Sequence, residues 1–74
     1  MDVPQEITDI VRYSGFDYAK YLGEYKGWQI YQPCFESEEA YYGIPRFLHV
    51  KGNKKRWSKS HDEASKILHY FYKD

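Results

Sequence analysis

The spacing of hydrophobic residues along this chain changes from helical to strand-like and back to helical. Near the N-terminus, Ile7, Ile10 and Val11 fall on one helical face. The preceding Asp-Val-Pro-Gln segment supplies a cap, a proline in the first turn and a glutamine at the third helical position. Gly15 supplies a C-terminal stop. The pattern predicts a helix over about residues 3–14.

Between Lys20 and Gln32, large apolar residues alternate with polar ones, which is typical of two paired strands. The segment Tyr25-Lys26-Gly27 suits a three-residue loop with glycine in the left-handed position. Pro33 is expected to end the second strand. Two cross-strand pairs follow from this loop: Leu22 opposite Ile30, and Tyr21 opposite Tyr31.

A second hairpin is predicted over residues 44–58, with a two-residue turn at Gly52-Asn53. The turn pairs Val50 with Lys55, Leu48 with Trp57, His49 with Arg56 and Lys51 with Lys54. One face of the hairpin then gathers Leu48, Val50 and Trp57, and we expect it to point toward the core. The other face, which we expect in solvent, gathers Phe47, His49, Lys51, Lys54 and Arg56.

The last element is a predicted helix over about residues 61–73. Ser60-His61-Asp62-Glu63 has the pattern of a capping box, and apolar residues follow at helical spacing: Ala64, Ile67, Leu68 and Phe71. The sequence therefore predicts a single small α+β domain over residues 1–74. We expect one antiparallel sheet of three to four strands, built from two hairpins and covered on one face, in the order α-β-β-β-β-α.

The chain carries no pattern typical of catalysis, metal binding or cofactor binding. It has one cysteine, so no internal disulfide forms, and Cys34 is expected to be a small apolar residue at a strand end. His61 and His69 are spaced more widely than zinc ligands on a helix.

The connecting segment 34–43 carries three carboxylates, Glu36, Glu38 and Glu39, without EF-hand spacing. We expect this segment to be a solvated loop. No glycine-rich loop opens a helix. We expect a protein that is not an enzyme and takes no cofactor.

The N-terminal residues are acidic and contain no long apolar run, which argues against a secretory signal or a transit peptide. No segment approaches the roughly 20 apolar residues that a membrane span needs. Together with the single cysteine, these features make the cytoplasm the expected location.

Charge is unevenly distributed, although the net charge is zero. Residues 1–40 contain eight acids and three bases, whereas residues 41–74 contain three acids and eight bases. Six bases and no acid lie between Arg46 and Lys59. The two halves either neutralise each other in the folded domain or attract a charged partner.

The second hairpin supplies the candidate binding residues: Phe47, His49, Lys51, Lys54, Arg56 and Lys59. Cationic side chains attract phosphate, and interleaved rings stack on bases, so binding to a nucleic-acid backbone is one hypothesis. Zero net charge argues against a dedicated nucleic-acid binder. The lysines also suit an edge that charge protects against pairing with other sheets.

The segment FLHVKGNKKRWSKSHDEASKIL, residues 47–68, resembles in pattern the arm-type DNA-binding domains of tyrosine recombinases. In that family the exposed face of a three-stranded sheet enters the DNA groove, and a C-terminal helix packs behind it. The resemblance covers about a third of the chain and implies Lys54 and Arg56 as contacts. The acidic N-terminal half and the N-terminal helix depart from the family pattern.

Protein association is the leading hypothesis. Nine tyrosines are more than a small core holds, and exposed tyrosines are typical interface anchors. Tyr70 lies off the apolar stripe of the last helix, and we expect it and Tyr72 to be interface residues. The expected partner is another protein or a second copy of the chain, with nucleic acid as the alternative and no small-molecule substrate.

Overall fold

The computed structural model describes residues 3–36 and 46–72, which form two helices and four strands. The elements are α1 (Gln5–Tyr13), β1 (Tyr18–Tyr25), β2 (Trp28–Cys34), β3 (Leu48–Lys51), β4 (Lys54–Trp57) and α2 (His61–Phe71). The strands form one antiparallel sheet in the order β1-β2-β3-β4. The predicted α+β class and the order α-β-β-β-β-α are confirmed.

Helix α1 begins at Gln5, directly after its N-cap Pro4, and ends at Tyr13, two residues before the predicted stop at Gly15. Gly15 adopts φ 101°. Its amide donates to the Arg12 carbonyl at 3.1 Å, and the Phe16 amide donates to the Val11 carbonyl at 2.9 Å. These two hydrogen bonds form a Schellman motif, which needs a left-handed residue that glycine supplies without steric strain. The motif turns the chain from α1 into β1.

The first hairpin has a two-residue turn, so the predicted three-residue loop is wrong. Tyr25 pairs directly with Trp28. Lys26 and Gly27 both have positive φ, 52° and 85°, which matches the right-handed twist of the strands. The predicted loop placed only the glycine in the left-handed region, where a lysine is uncommon.

A bulge in β1 restores the predicted register away from the turn. Tyr21 lies opposite Tyr31, as predicted, but the register shifts between Tyr21 and Gly23. Gly23, and not Leu22, therefore lies opposite Ile30. The shorter turn moved the pairing by one residue, and the extra residue of the bulge moved it back.

Strand β2 continues past the proline predicted to end it. Pro33 lies opposite Ala19, and the strand runs on to Cys34. Strand β3 pairs with β2 only along Gln29–Tyr31. In the described part of the sheet, Pro33 therefore has a strand on one side only, which is where a residue without an N–H is tolerated.

The second hairpin has the predicted register. All four predicted pairs between β3 and β4 are present, from Leu48 opposite Trp57 to Lys51 opposite Lys54. Gly52 adopts φ 59° at the first turn position, where glycine is favoured in a two-residue hairpin turn.

The two helices pack on opposite faces of the sheet, so the prediction of a single covered face is wrong. Successive strand residues point to opposite faces, and the structure assigns neighbours to different hydrophobic clusters. Tyr31 and Leu48 pack with Ile7 and Val11 of α1. Their neighbours on the other face pack with α2, in a cluster containing Ile30, Phe47, Ala64 and Ile67. The sheet is the middle of three layers.

Helix α2 begins as predicted, because the Ser60 hydroxyl accepts a hydrogen bond from the Glu63 amide at 3.2 Å. Near its other end, the Phe71 ring lies against Gly23, where an added Cβ would be only 2.9 Å from Phe71 Cε1. Glycine at the bulge lets α2 lie close to β1. Among the residues that the structure describes, no helix is long and apolar enough to cross a membrane.

Candidate functional site

The structure separates the six predicted binding residues into a buried group and an exposed group. Phe47 and His49 are 0% and 1% exposed beneath α2, so their predicted position in solvent is wrong. Arg56 is half-buried, and its guanidinium pairs with Glu63. Lys51, Lys54 and Lys59 are exposed. The opposite face was assigned correctly, since Leu48, Val50 and Trp57 pack toward α1.

His49 and Arg56 belong to a polar network that joins the second hairpin to α2. Arg56 donates to both carboxylate oxygens of Glu63, at 2.9 and 3.1 Å. Glu63 Oε1 also accepts from the Lys59 amide at 2.8 Å and lies 3.8 Å from His49 Nε2. The same His49 nitrogen is 3.1 Å from Ser58 Oγ. The network holds the N-terminus of α2 against the sheet.

The network changes the proton affinity of two of its members. The hydrogen bonds from Arg56 lower the pKa of Glu63 to about 2, with help from the Lys59 amide and against the opposing effect of burial. Burial lowers the pKa of His49, and the neighbouring Arg56 charge lowers it further, while Glu63 raises it. Glu63 is therefore ionised and His49 neutral near pH 7.

The Ser58–His49 contact resembles a nucleophile and its base, but its surroundings do not suit catalysis. His49 is 1% exposed, so a substrate has no access to its ring. A third group that orients a catalytic histidine contacts the second ring nitrogen, whereas Glu63 lies near the same Nε2 as Ser58. The geometry is that of a structural link between β3, β4 and α2.

The acidic loop does not neutralise the hairpin through Glu36. The described contact of Glu36 is its amide, which donates to Asp17 Oδ2 at 2.8 Å. Glu38 and Glu39 lie outside the described residues. Over residues 3–36 and 46–72, no three side chains of histidine, cysteine, aspartate or glutamate come together as a metal-binding group.

Three exposed lysines gather at one end of the sheet, and we call Lys26, Lys51 and Lys54 the lysine tip. In an antiparallel sheet of this order, the β1–β2 and β3–β4 turns lie at the same end. Lys51 Nζ lies 5.9 Å from the centre of the Trp28 ring, and it would be 3.9 Å from a Cβ at Gly27. Lys26 and Trp28 were not among the residues predicted from the sequence, although a sheet with the strands in chain order places them beside Lys51.

Tyrosines form a second exposed surface on the α2 side of the sheet. Tyr18, Tyr70 and Tyr72 are 46%, 54% and 45% exposed, which agrees with the expected outward position of Tyr70. The Tyr70 ring packs edge-on against Tyr25, with centroids 5.0 Å apart. Tyr72 donates its hydroxyl hydrogen to Gln32 Oε1 at 2.6 Å. We call Tyr18, Tyr25, Tyr70 and Tyr72 the tyrosine face.

Strand alternation places Tyr18 on this surface. Its neighbour Ala19 packs toward α1, so Tyr18 points to the α2 side of edge strand β1. There Tyr18 lies opposite Cys34, whose charge is the main cause that raises the pKa of the Tyr18 phenol. Tyr13, in contrast, lies at the end of α1 and is 95% exposed.

A shallow groove with a volume of about 200 Å³ leads from the first hairpin turn to the tyrosine face. It lies between the turn and the first part of α2, and its lining residues are Tyr25, Lys26, Ser60, Asp62, Glu63 and Lys66. Since Arg56 neutralises Glu63, the two lysines outnumber the remaining carboxylate, Asp62. Comparison of the chain with protein-family models, with curated proteins and with solved structures gave no match.

Proposed function

We propose that this chain is a cytoplasmic, non-enzymatic interaction module that binds an acidic segment of another protein through the tyrosine face. The observation that carries the proposal is that three tyrosines, each about half exposed, lie along the α2 side of edge strand β1. The chain has a single cysteine, Cys34, and it is buried, which is consistent with a reducing compartment.

The tyrosine face has the physical properties of an interface anchor. Tyrosine offers a large apolar ring and a hydroxyl at little cost in conformational entropy, and it is enriched among residues that dominate binding energy. Tyr70 is supported by ring contacts with Tyr25 and Phe71, each with centroids 5.0 Å apart. Because these rings are already positioned, less entropy is lost when a partner binds.

Charge around the tyrosine face favours an acidic partner. Lys20 is exposed on β1, on the same side of the sheet as Tyr18, and Lys66 is exposed on α2. Glu24 lies beyond the bulge and accepts from Gln29, whose strand neighbour Ile30 packs toward α2. Glu24 therefore points to the α1 side, away from these lysines. A segment that combines carboxylates with apolar side chains complements this surface.

Three of the six residues predicted to bind nucleic acid on the second hairpin are not available to a ligand. Phe47 and His49 are buried, and Arg56 is held by Glu63. The face that the resemblance to arm-type domains would place in a DNA groove is the face that α2 covers. Protein association is therefore the better supported function.

A photo-cross-linking phenylalanine analogue at position 70 tests the proposal in the cells that make the protein. The matched control carries the analogue at position 13, since Tyr13 is also exposed but lies on α1. We expect an adduct from position 70 and none from position 13. Mass spectrometry should locate the cross-link in an acidic segment, and Lys20→Glu with Lys66→Glu should abolish it.

Two outcomes would contradict the proposal. Equal adducts at positions 13 and 70 would show that the cross-linking reports exposure and not recognition. An adduct with twice the mass of the chain would identify a second copy as the partner, and light scattering during gel filtration would then show a dimer in place of the expected monomer.

A further inference from the structure

We propose that the lysine tip is a second binding site, which takes the phosphate backbone of nucleic acid. The inference is independent of the tyrosine face, because its ligand and its central residues differ. It also differs from the hypothesis drawn from the sequence, in which Phe47, His49 and Arg56 took part. The site consists of Lys26 from the first turn and of Lys51 and Lys54 from the second.

The geometry brings three ammonium groups to one end of the sheet. Neighbouring strands are about 4.8 Å apart, so two turns separated by two strand positions are about 10 Å apart. Lys51 reaches back toward the first turn, as its Nζ would lie 3.9 Å from a Cβ at Gly27. Ammonium groups spread over this distance meet several phosphates and not one, which suits a polyanion better than a single phosphate ion.

The lysine tip lacks the carboxylates that neutralise other basic residues of the second hairpin. Lys55 lies 3.7 Å from Glu6, and Arg56 lies 2.9 Å from Glu63. Within the described ranges, no carboxylate lies within 4.0 Å of the lysine tip ammonium groups. Lys51 and Lys54 are also direct cross-strand neighbours, and like charges in that position repel each other. A bound polyanion relieves this repulsion.

Nucleic acid fits the lysine tip better than an anionic membrane does. Membrane-surface binding gains much of its strength from apolar side chains that enter the lipid. The large rings beside the first turn are Trp28 and Tyr25, and both are half-buried. Arg56 and Lys51 lie 5.1 and 5.9 Å from the Trp28 ring centre. The exposed Tyr70 packs against Tyr25 from helix α2 and is not part of either turn. The turn residues Lys26-Gly27 and Gly52-Asn53 themselves carry no apolar side chain that could enter lipid, which favours phosphates in water.

Fluorescence anisotropy with a labelled DNA duplex and the matching single strand tests the site. Three lysine–phosphate contacts predict a slope of log affinity against log salt of about −2.7 for the duplex and about −2.1 for the single strand. For the duplex, affinity should fall about 40-fold between about 50 and 200 mM salt. Absence of binding at the lower salt concentration would overturn the proposal.

Charge-matched variants distinguish the lysine tip from general electrostatic attraction. Lys51→Gln with Lys54→Gln should reduce duplex affinity at least about tenfold at low salt and reduce the slope to about −0.9. Arg12→Gln with Arg46→Gln also removes two exposed charges, but away from the tip, and should leave the slope unchanged. Equal changes of the slope in the two double variants would show that the lysine tip is not the binding site.

Anionic vesicles provide a further test of the ligand class. Vesicles of phosphatidylserine and phosphatidylcholine should bind more weakly than the duplex at the same salt concentration. Tighter binding to vesicles, lost in the Lys51→Gln and Lys54→Gln variant, would overturn nucleic acid as the ligand. Retained cross-linking at position 70 in the same variant would show that the tyrosine face works independently.

Discussion

The guanidinium of Arg56 and the carboxylate of Glu63 form two parallel hydrogen bonds, 2.9 and 3.1 Å long, that join β4 to the first turn of α2. Both side chains are 28% exposed, so water screens the pair only in part. The pair lies on the face of the sheet that α2 covers. Arg56 therefore serves the packing of the helix, and it is not available to an external anion.

Replacing Arg56 should destabilise the fold. Arg56→Ala leaves the half-buried Glu63 carboxylate without its strongest donor, and we expect the free energy of unfolding to fall by about 1–3 kcal/mol. Arg56→Lys keeps the charge but cannot form two parallel hydrogen bonds, so it should lose part of that amount. Urea denaturation measures these values.

The matched control for Arg56 is Lys55→Ala. Lys55 is next in sequence and pairs with Glu6 at 3.7 Å, but Glu6 is 66% exposed. Exposed pairs of this kind contribute about 0–1 kcal/mol. A loss in Lys55→Ala as large as that in Arg56→Ala would show that the bidentate contact with Glu63 is not what stabilises this face.

Acid should unfold the protein through Glu63. Its pKa is about 2 in the folded chain, against an ordinary value of 4.5, so the unfolded chain takes up this proton first as the pH falls. The free energy of unfolding should therefore decrease from pH 4.5 toward 2. In Glu63→Gln this part of the pH dependence should be absent. An unchanged pH profile in that variant would contradict the assignment.

His49 should add a second pH dependence at milder acidity. Burial lowers its pKa below 6.5 in the folded chain, so the unfolded chain binds its proton more readily, and stability should fall as the pH drops below 6.5. His49→Gln should remove this dependence and lower stability at all pH values, because the ring fills space beneath α2. His61→Gln is the control, since His61 is exposed.

The sequence predicted the elements of this fold better than their layering. Helical spacing, the Ser60 cap of α2 and the Gly52-Asn53 turn depend on neighbouring residues alone, and each is present. The face that α2 covers depends on long-range packing. Large side chains lie on both faces of the segment Phe47-Leu48-His49-Val50, which is typical of a strand buried on both sides. The lysines nearby favoured the interpretation of one exposed face.

The candidate site could be predicted only in part for the same reason. Lys51 and Lys54 follow from the hairpin register, but the position of Lys26 beside them depends on the strand order of the whole sheet. The pairing of Arg56 with Glu63 could not be predicted from the sequence either. Glu63 has the position of a capping-box residue in the sequence, and in the structure its carboxylate binds Arg56 and the Lys59 amide.

Gly23 should be the least replaceable of the four described glycines. It adopts φ 143°, and an added Cβ would lie 2.9 Å from Phe71 Cε1. Gly23→Ala should therefore lose at least about 1–3 kcal/mol of stability through backbone strain and displacement of α2. Gly15→Ala is the control. Gly15 also has a positive φ, 101°, but a Cβ added there would meet no other group within 4 Å, so this variant tests backbone strain alone. Thermal unfolding of the two variants should differ, and equal losses would exclude the contact with Phe71.

Lys26→Asn should stabilise the first hairpin and weaken the lysine tip in the same molecule. Lys26 adopts φ 52° before Gly27, and asparagine followed by glycine is the preferred sequence for such a turn because asparagine tolerates the left-handed region. We expect a gain of about 0.5–1 kcal/mol in urea denaturation. The salt slope of duplex binding should meanwhile become shallower by about 0.9, since one cation is lost. A variant that is more stable and binds duplex with an unchanged slope would show that Lys26 is not part of the site, although the turn is as described.

A loss of stability would show that the contact of the Lys26 ammonium group with the Tyr25 ring, 5.4 Å from its centre, stabilises the fold by more than the backbone strain at Lys26 destabilises it.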